Sequence, residues 1–85
     1  MSRLIPALER IERAHALIQK ARQLPVPAGG GKYDFSYIAQ VKDLLQQARD
    51  LVKFIPYTPT ATPEMKNEVK RIFEDAAQAN KELLH

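Results

Sequence analysis

The positions of the prolines decide most of what this chain can become. Five of the six lie in two clusters, Pro25 with Pro27 and Pro56 with Pro59 and Pro63. A proline inside a helix removes a backbone donor and clashes with the preceding turn, so neither cluster can be crossed by a continuous helix. The clusters divide the 85 residues into three stretches, each with apolar residues at spacings of three and four. The sequence therefore predicts three helices, over about residues 3–24, 35–55 and 63–84, with linkers at 25–34 and 56–62.

In the first stretch Leu4, Ile11 and Ile18 recur every seven residues, with Ala7, Ala14 and Ala21 three places later. Leu8 on one flank and Leu17 with Leu24 on the other widen the apolar arc beyond what one partner helix covers, so this helix should meet two neighbours. Ser2 is its candidate cap, and Pro6 fits only near the first turn. In the second stretch Ile38, Val41, Leu45, Ala48, Val52 and Ile55 share a face that Leu44 and Leu51 broaden, and Asp34 or Ser36 can cap it. In the third, Thr62-Pro63-Glu64 combines a capping hydroxyl, a proline suited to the first helical position and an acid at the positive end of the dipole. Met65, Val69, Ile72, Ala76, Ala79 and Leu83 then continue the spacing.

Three helices of similar length close most simply as an all-α, up-down-up antiparallel bundle occupying residues 1–85 as one domain, with self-association as a further expectation from its wide apolar faces. Small residues at Ala7, Ala14, Ala21, Ala48, Ala76 and Ala79 allow at least one close helix pair. The linker from Pro25 through Gly29, Gly30 and Gly31 to Lys32 reads as a mobile connector without regular structure.

Composition sets the outer bounds. With 45% apolar and 27% charged residues the chain has the makings of a folded domain, and a domain this short buries about two thirds of its unfolded surface. The lack of cysteine removes disulfides and thiol nucleophiles, and with them any reason to expect an oxidising compartment. No apolar run approaches the ~18 residues that span a bilayer, and the N-terminus has no uninterrupted apolar segment of the secretory kind. A cytoplasmic location is the resulting expectation.

The net charge of +3 is unevenly placed: residues 1–31 carry five Lys/Arg against two Glu, residues 57–85 four against five acids. Arg3, Arg10, Arg13, Lys20 and Arg22 read as scattered around the exposed arc and interrupted by Glu9 and Glu12. A nucleic-acid surface through Arg10, Arg13, Lys20 and Lys32 is the alternative function, and its binding would be sensitive to salt. Gly29-Gly30-Gly31-Lys32 has the composition of a phosphate-cradling loop, but a helix precedes it where a strand is needed, and Tyr33 stands where Ser or Thr would follow.

Tyr33, Phe35 and Tyr37 gather at the start of the second helix, near Leu24, Leu83 and Leu84 in an up-down-up bundle, and should close that end of the core. Phe54, Tyr57 and Met65 gather at the other end. Whatever part of Tyr33, Phe35, Tyr37 and Tyr57 stays exposed is the candidate partner surface.

His15 stands beside the apolar face and should pack at its boundary, with no second histidine or acidic cluster at ligand spacing. Arg10 and His15 have an Arg-x4-His spacing that resembles the catalytic motif of HEPN domains, small helical ribonucleases. That resemblance would imply a pair able to position and protonate a scissile phosphate. It covers only these residues, and it opens the first helix whereas the family carries the motif late in a longer chain. The residues thus point to a non-enzymatic interaction or assembly module that binds a protein partner or itself, with no cofactor, metal or catalytic residue expected.

Overall fold

The computed structural model describes residues 6–84, apart from the side chain of Lys32. The proposed cap at Ser2, the apolar Leu4, the cation Arg3 and the terminal His85 lie outside the described residues. The chain forms α1 (Ala7–Gln23), α2 (Phe35–Val52) and α3 (Pro63–Leu84), with one-turn 3-10 helices at Gly31–Tyr33 and Ile55–Tyr57. It is an all-α, up-down-up bundle in which every helix packs on the other two.

The helix ends follow from local chemistry. Pro6 stands just ahead of α1, and its carbonyl accepts from the Arg10 amide at 3.0 Å. Leu24 is already extended (φ −62°, ψ 133°) because the ring of Pro25 disfavours helical angles in the residue before it, so α1 stops at Gln23. Of the two candidate caps for α2, Asp34 is used: its Oδ1 accepts from the Tyr37 amide at 3.0 Å. The Thr62 hydroxyl accepts from the Met65 amide at 3.1 Å, with Pro63 as the first residue of α3.

Two expectations need correction. The second helix ends at Val52, not at Ile55. Pro56 has no amide to donate to the Val52 carbonyl, so the α ladder cannot continue through it, and the chain leaves the helix through the tighter turn at Ile55–Tyr57. Ile55 nevertheless stays in the core, and its carbonyl accepts from both the amide and the hydroxyl of Thr58 at 3.1 and 2.8 Å. The glycine linker, expected to lack regular structure, is folded. Gly31 adopts φ +57°, its amide donates to the Pro27 carbonyl at 2.8 Å, and the 3-10 turn that follows rests on α2 and α3.

Only glycine takes that left-handed angle without strain, whereas Gly29 has open space around a new Cβ and no such angle. Gly31→Ala should therefore lower stability by about 1 kcal/mol, the cost of forcing a Cβ into this region. Gly29→Ala should cost nothing or add a few tenths by restricting the unfolded chain. Thermal melts of the two variants measure the difference, and equal melting temperatures would mean that the turn does not persist in solution.

The core consists of Ile11, Ala14, Ile18 and Ala21 from α1, Tyr37, Val41, Leu44, Leu45, Ala48 and Val52 from α2, Ile55, and Val69, Ile72, Ala76 and Ala79 from α3. This is the 3-4 spacing of the sequence with one exchange. Ile38 is only half-buried and Tyr37, one helical turn before Val41, takes the inner position. Met65, Leu83 and Leu84 pack against the edge of the core, as does Leu24. Among the described residues no buried polar side-chain atom lacks a hydrogen-bond partner, and no helix is long and apolar enough to cross a membrane.

Candidate functional site: a basic-rimmed groove between α1 and α2

A three-helix bundle has three furrows, and side chains give each a different character. The α1–α3 furrow is bridged by polar pairs. His15 Nε2 and Glu68 Oε2 are 3.0 Å apart, and since a carboxylate accepts, Nε2 is the nitrogen that carries hydrogen. Arg71 also reaches Glu68, at 3.4 Å. One end of α1 is tied to α3 by Arg22, whose guanidinium donates to Glu82. Glu82 also accepts from the Gln78 amide at 2.8 Å. The α2–α3 furrow is polar, lined by Lys42, Asp43, Gln46 and Arg49 with Ala77 and Asn80.

The third furrow is open and mostly apolar. Between α1 and α2 lies a groove of about 660 Å³ lined by Arg10, Arg13, Ala16, Leu17 and Lys20 from α1 and by Gln47, Asp50 and Leu51 from α2. At 100° per residue, the α1 residues of this groove fall on the side of the helix away from His15 and Arg22, which face α3. The groove therefore occupies the back of the α1–α2 pair, where no third helix covers it. Leu17 and Leu51 are half-buried residues that touch the edge of the core and form the groove floor.

Three of the five cations expected to be scattered share one stripe, while Arg22 faces α3 and Arg3 lies outside the described residues. Arg10, Arg13 and Lys20 are separated by three and seven, and together with Leu17 they follow the 3-4-3 steps of one helical stripe. Glu12 lies off the stripe; Glu9 borders it and pairs with Arg13 at 3.0 Å. On the opposite lip, Asp50 is held below the usual carboxylate range. The largest cause is the Gln46 amide, which donates to Oδ1 at 2.9 Å, followed by the Lys53 ammonium at 3.2 Å.

The aromatic candidates separate. Tyr37 is 3% exposed and belongs to the core, so it is removed from the partner surface and alone supplies the expected aromatic lid. Phe35 is 89% exposed, because a two-residue step turns a helix by about 200° and puts it opposite Tyr37, and Tyr33, 75% exposed, lies ahead of α2 in the 3-10 turn. At the other end Phe54 and Tyr57 are 63% and 84% exposed while Met65 packs on the core. The Lys53 ammonium sits 5.2 Å from the centre of the Phe54 ring.

Arg10 and His15 do not converge. Five residues turn the helix by about 140°, so Arg10 lines the groove with α2 while His15 bonds to Glu68 of α3.

The Glu82 carboxyl is held below its ordinary value, first by the hydrogen bond from Arg22 and second by Gln78. A carboxyl pKa depressed in the fold contributes stability above the unfolded value and loses it as pH falls through the folded one. Glu82→Gln should accordingly melt lower than the parent at neutral pH and match it in strongly acidic buffer. A gap that persists in acid would show that the Arg22 contact does not depend on charge.

Ala16, Gln47 and Asp50 line the groove without any signal in the sequence, and Leu17 and Leu51 were not singled out as site residues. The signal of the two leucines was present as apolar positions flanking the core arcs of α1 and α2, but it gained meaning only once the side taken by α3 was known. No known protein family, no curated protein and no solved structure matches this chain.

Proposed function

We propose that the chain is a non-enzymatic protein-interaction module that holds a segment of a partner along the α1–α2 groove. One observation carries this reading: among the described residues the α1–α2 furrow is the open one with an apolar floor, the α2–α3 furrow being equally open but polar, and cations line one of its lips. Apolar side chains at the bottom of an open groove gain about 25 cal/mol for each Å² that a partner covers, while polar rims set orientation.

A photo-crosslinking side chain at Gln47, inside the groove, should form protein adducts in the producing cell that the same group at Asn80, in the α2–α3 furrow, does not form. Leu51→Asp in the same chain should abolish them. Equal labelling from both positions, or labelling indifferent to Leu51→Asp, would sink the reading.

The aligned Arg10, Arg13 and Lys20 keep a second reading open, a weak nucleic-acid surface. Three phosphate contacts would give a slope of roughly −2 to −3 in log affinity against log salt. Nucleic-acid adducts at Gln47 in place of protein would favour it.

A further inference from the structure

Resting on the groove as a docking surface, we infer that its occupant is an acidic amphipathic α-helix, seated as a fourth helix with its carboxylates toward α1. Length comes first. The groove runs from Arg10 to Lys20, ten residue steps along α1, or about 15 Å at 1.5 Å per step. That accommodates about three turns of helix, which would present two or three apolar side chains at 3-4 spacing to Ala16, Leu17 and Leu51. Two antiparallel helices with an apolar valley between them offer the ridges and grooves that a further helix packs into.

Charge then selects among helices. Arg10, Arg13 and Lys20 all belong to the α1 lip, whereas the α2 lip presents Asp50 and Gln47. A helix with acids along one flank and neutral or basic residues along the other satisfies both lips, and only in one orientation. Arg13 already holds Glu9, so an incoming carboxylate shares that guanidinium, and Lys20 forms no ion pair among the described residues. The Asp50 carboxylate accepts from Gln46 and pairs with Lys53 within α2, so the far lip offers an incoming acid no free cation from this pair.

The same asymmetry disfavours two other occupants. A nucleic-acid strand would leave Leu17 and Leu51 uncovered and bring phosphates against Asp50. A second copy is less well suited: α1 is basic, α2 carries two acids with two Lys/Arg, and on α3 the acids Glu68 and Glu82 are already paired to His15 and Arg22 of their own α1.

Selection of random helical peptides of about fourteen residues, about 21 Å of helix, against the immobilised protein tests the proposal, with counter-selection on Leu51→Asp. The expected winners carry leucine-like residues at 3-4 spacing and Glu or Asp along one flank. Their binding should weaken roughly tenfold in Arg13→Glu/Lys20→Glu and fall further as salt rises. Both rim residues are exposed, so this variant should keep the parent's helical circular dichroism even if Leu51→Asp unfolds.

Groove-dependent winners that are neutral or basic would overturn the acidic assignment and leave the docking surface standing. Winners indifferent to both variants, or none at all, would overturn both. A single-stranded oligonucleotide that displaces the best peptides and binds more tightly would replace the helix with nucleic acid. A dimer dissolved by Leu51→Asp and refusing every peptide would replace it with a second copy.

Discussion

Ile72→Ala should remove about 2–5 kcal/mol of stability, the range for deleting a branched side chain from a core that collapses only partly into the gap. Ile72 is completely buried in the middle of α3, among residues drawn from all three helices. A chain of this length has a total margin of about 4–13 kcal/mol at 0.05–0.15 kcal/mol per residue, so one truncation takes a large share of it. Urea unfolding should show a lower midpoint with an unchanged slope, because the area exposed on unfolding barely changes. The adjacent Phe73 is the control. It is larger and more apolar by size alone, yet it is 36% exposed, so Phe73→Ala should cost clearly less than Ile72→Ala. Equal losses would mean that α3 is rotated from the position described, with Phe73 carrying packing assigned to Ile72.

What could be read from the residues alone was whatever local chemistry decides. Thr62-Pro63-Glu64 states its own role, since cap, first-turn proline and dipole charge agree, and α3 begins there. The core residues of α1 and α3 follow directly from 3-4 spacing. Difficulty arose wherever two local rules competed. Ile55 satisfies the apolar period of α2 and also precedes a proline; the period places it in the core and the proline ends the helix before it. In the linker, three glycines suggested freedom, but one of them supplies the left-handed angle that lets the segment close into a turn. Nearness in sequence joined Tyr33, Phe35 and Tyr37, whereas the turn of the helix separates Phe35 from Tyr37 and the 3-10 turn holds Tyr33 outside α2.

The groove was hidden for a different reason. Arg10, Arg13, Leu17 and Lys20 form a stripe that a helical projection contains, but a stripe beside an apolar arc becomes a site only if the neighbouring helices leave it bare. That depends on which side of the α1–α2 pair α3 occupies, a question of handedness that neither spacing nor capping settles. The wide apolar arc of α1 did imply two neighbours, and α1 has them in α2 and α3. Leu17 is the part of the arc left over after both have packed.

That leftover makes the spacing of α1 and α2 matter for function as well as stability, and Ala14→Leu probes both. Ala14 and Ala21 are completely buried and lie on α1 between the flank that reaches α3 through His15 and Arg22 and the flank that lines the groove through Leu17. They are thus the residues of α1 laid against α2, and α1 packs more extensively on α2 than on α3. Three added carbons at the completely buried Ala14 must be accommodated by separating or twisting the pair, at about 1–3 kcal/mol. Ala39→Leu, on the exposed side of α2, makes the same chemical change and should stay within about 0.5 kcal/mol of the parent. Movement of α1 away from α2 also widens the groove and carries Leu17 away from Leu51, so a helix gripped between them should be held less tightly by Ala14→Leu than by Ala39→Leu under folded conditions. Chemical denaturation gives the first quantity and peptide titration well below the melting temperature gives the second. An Ala14→Leu variant as stable as the parent would show that the two helices are not closely spaced, and with that the groove would lose its shape.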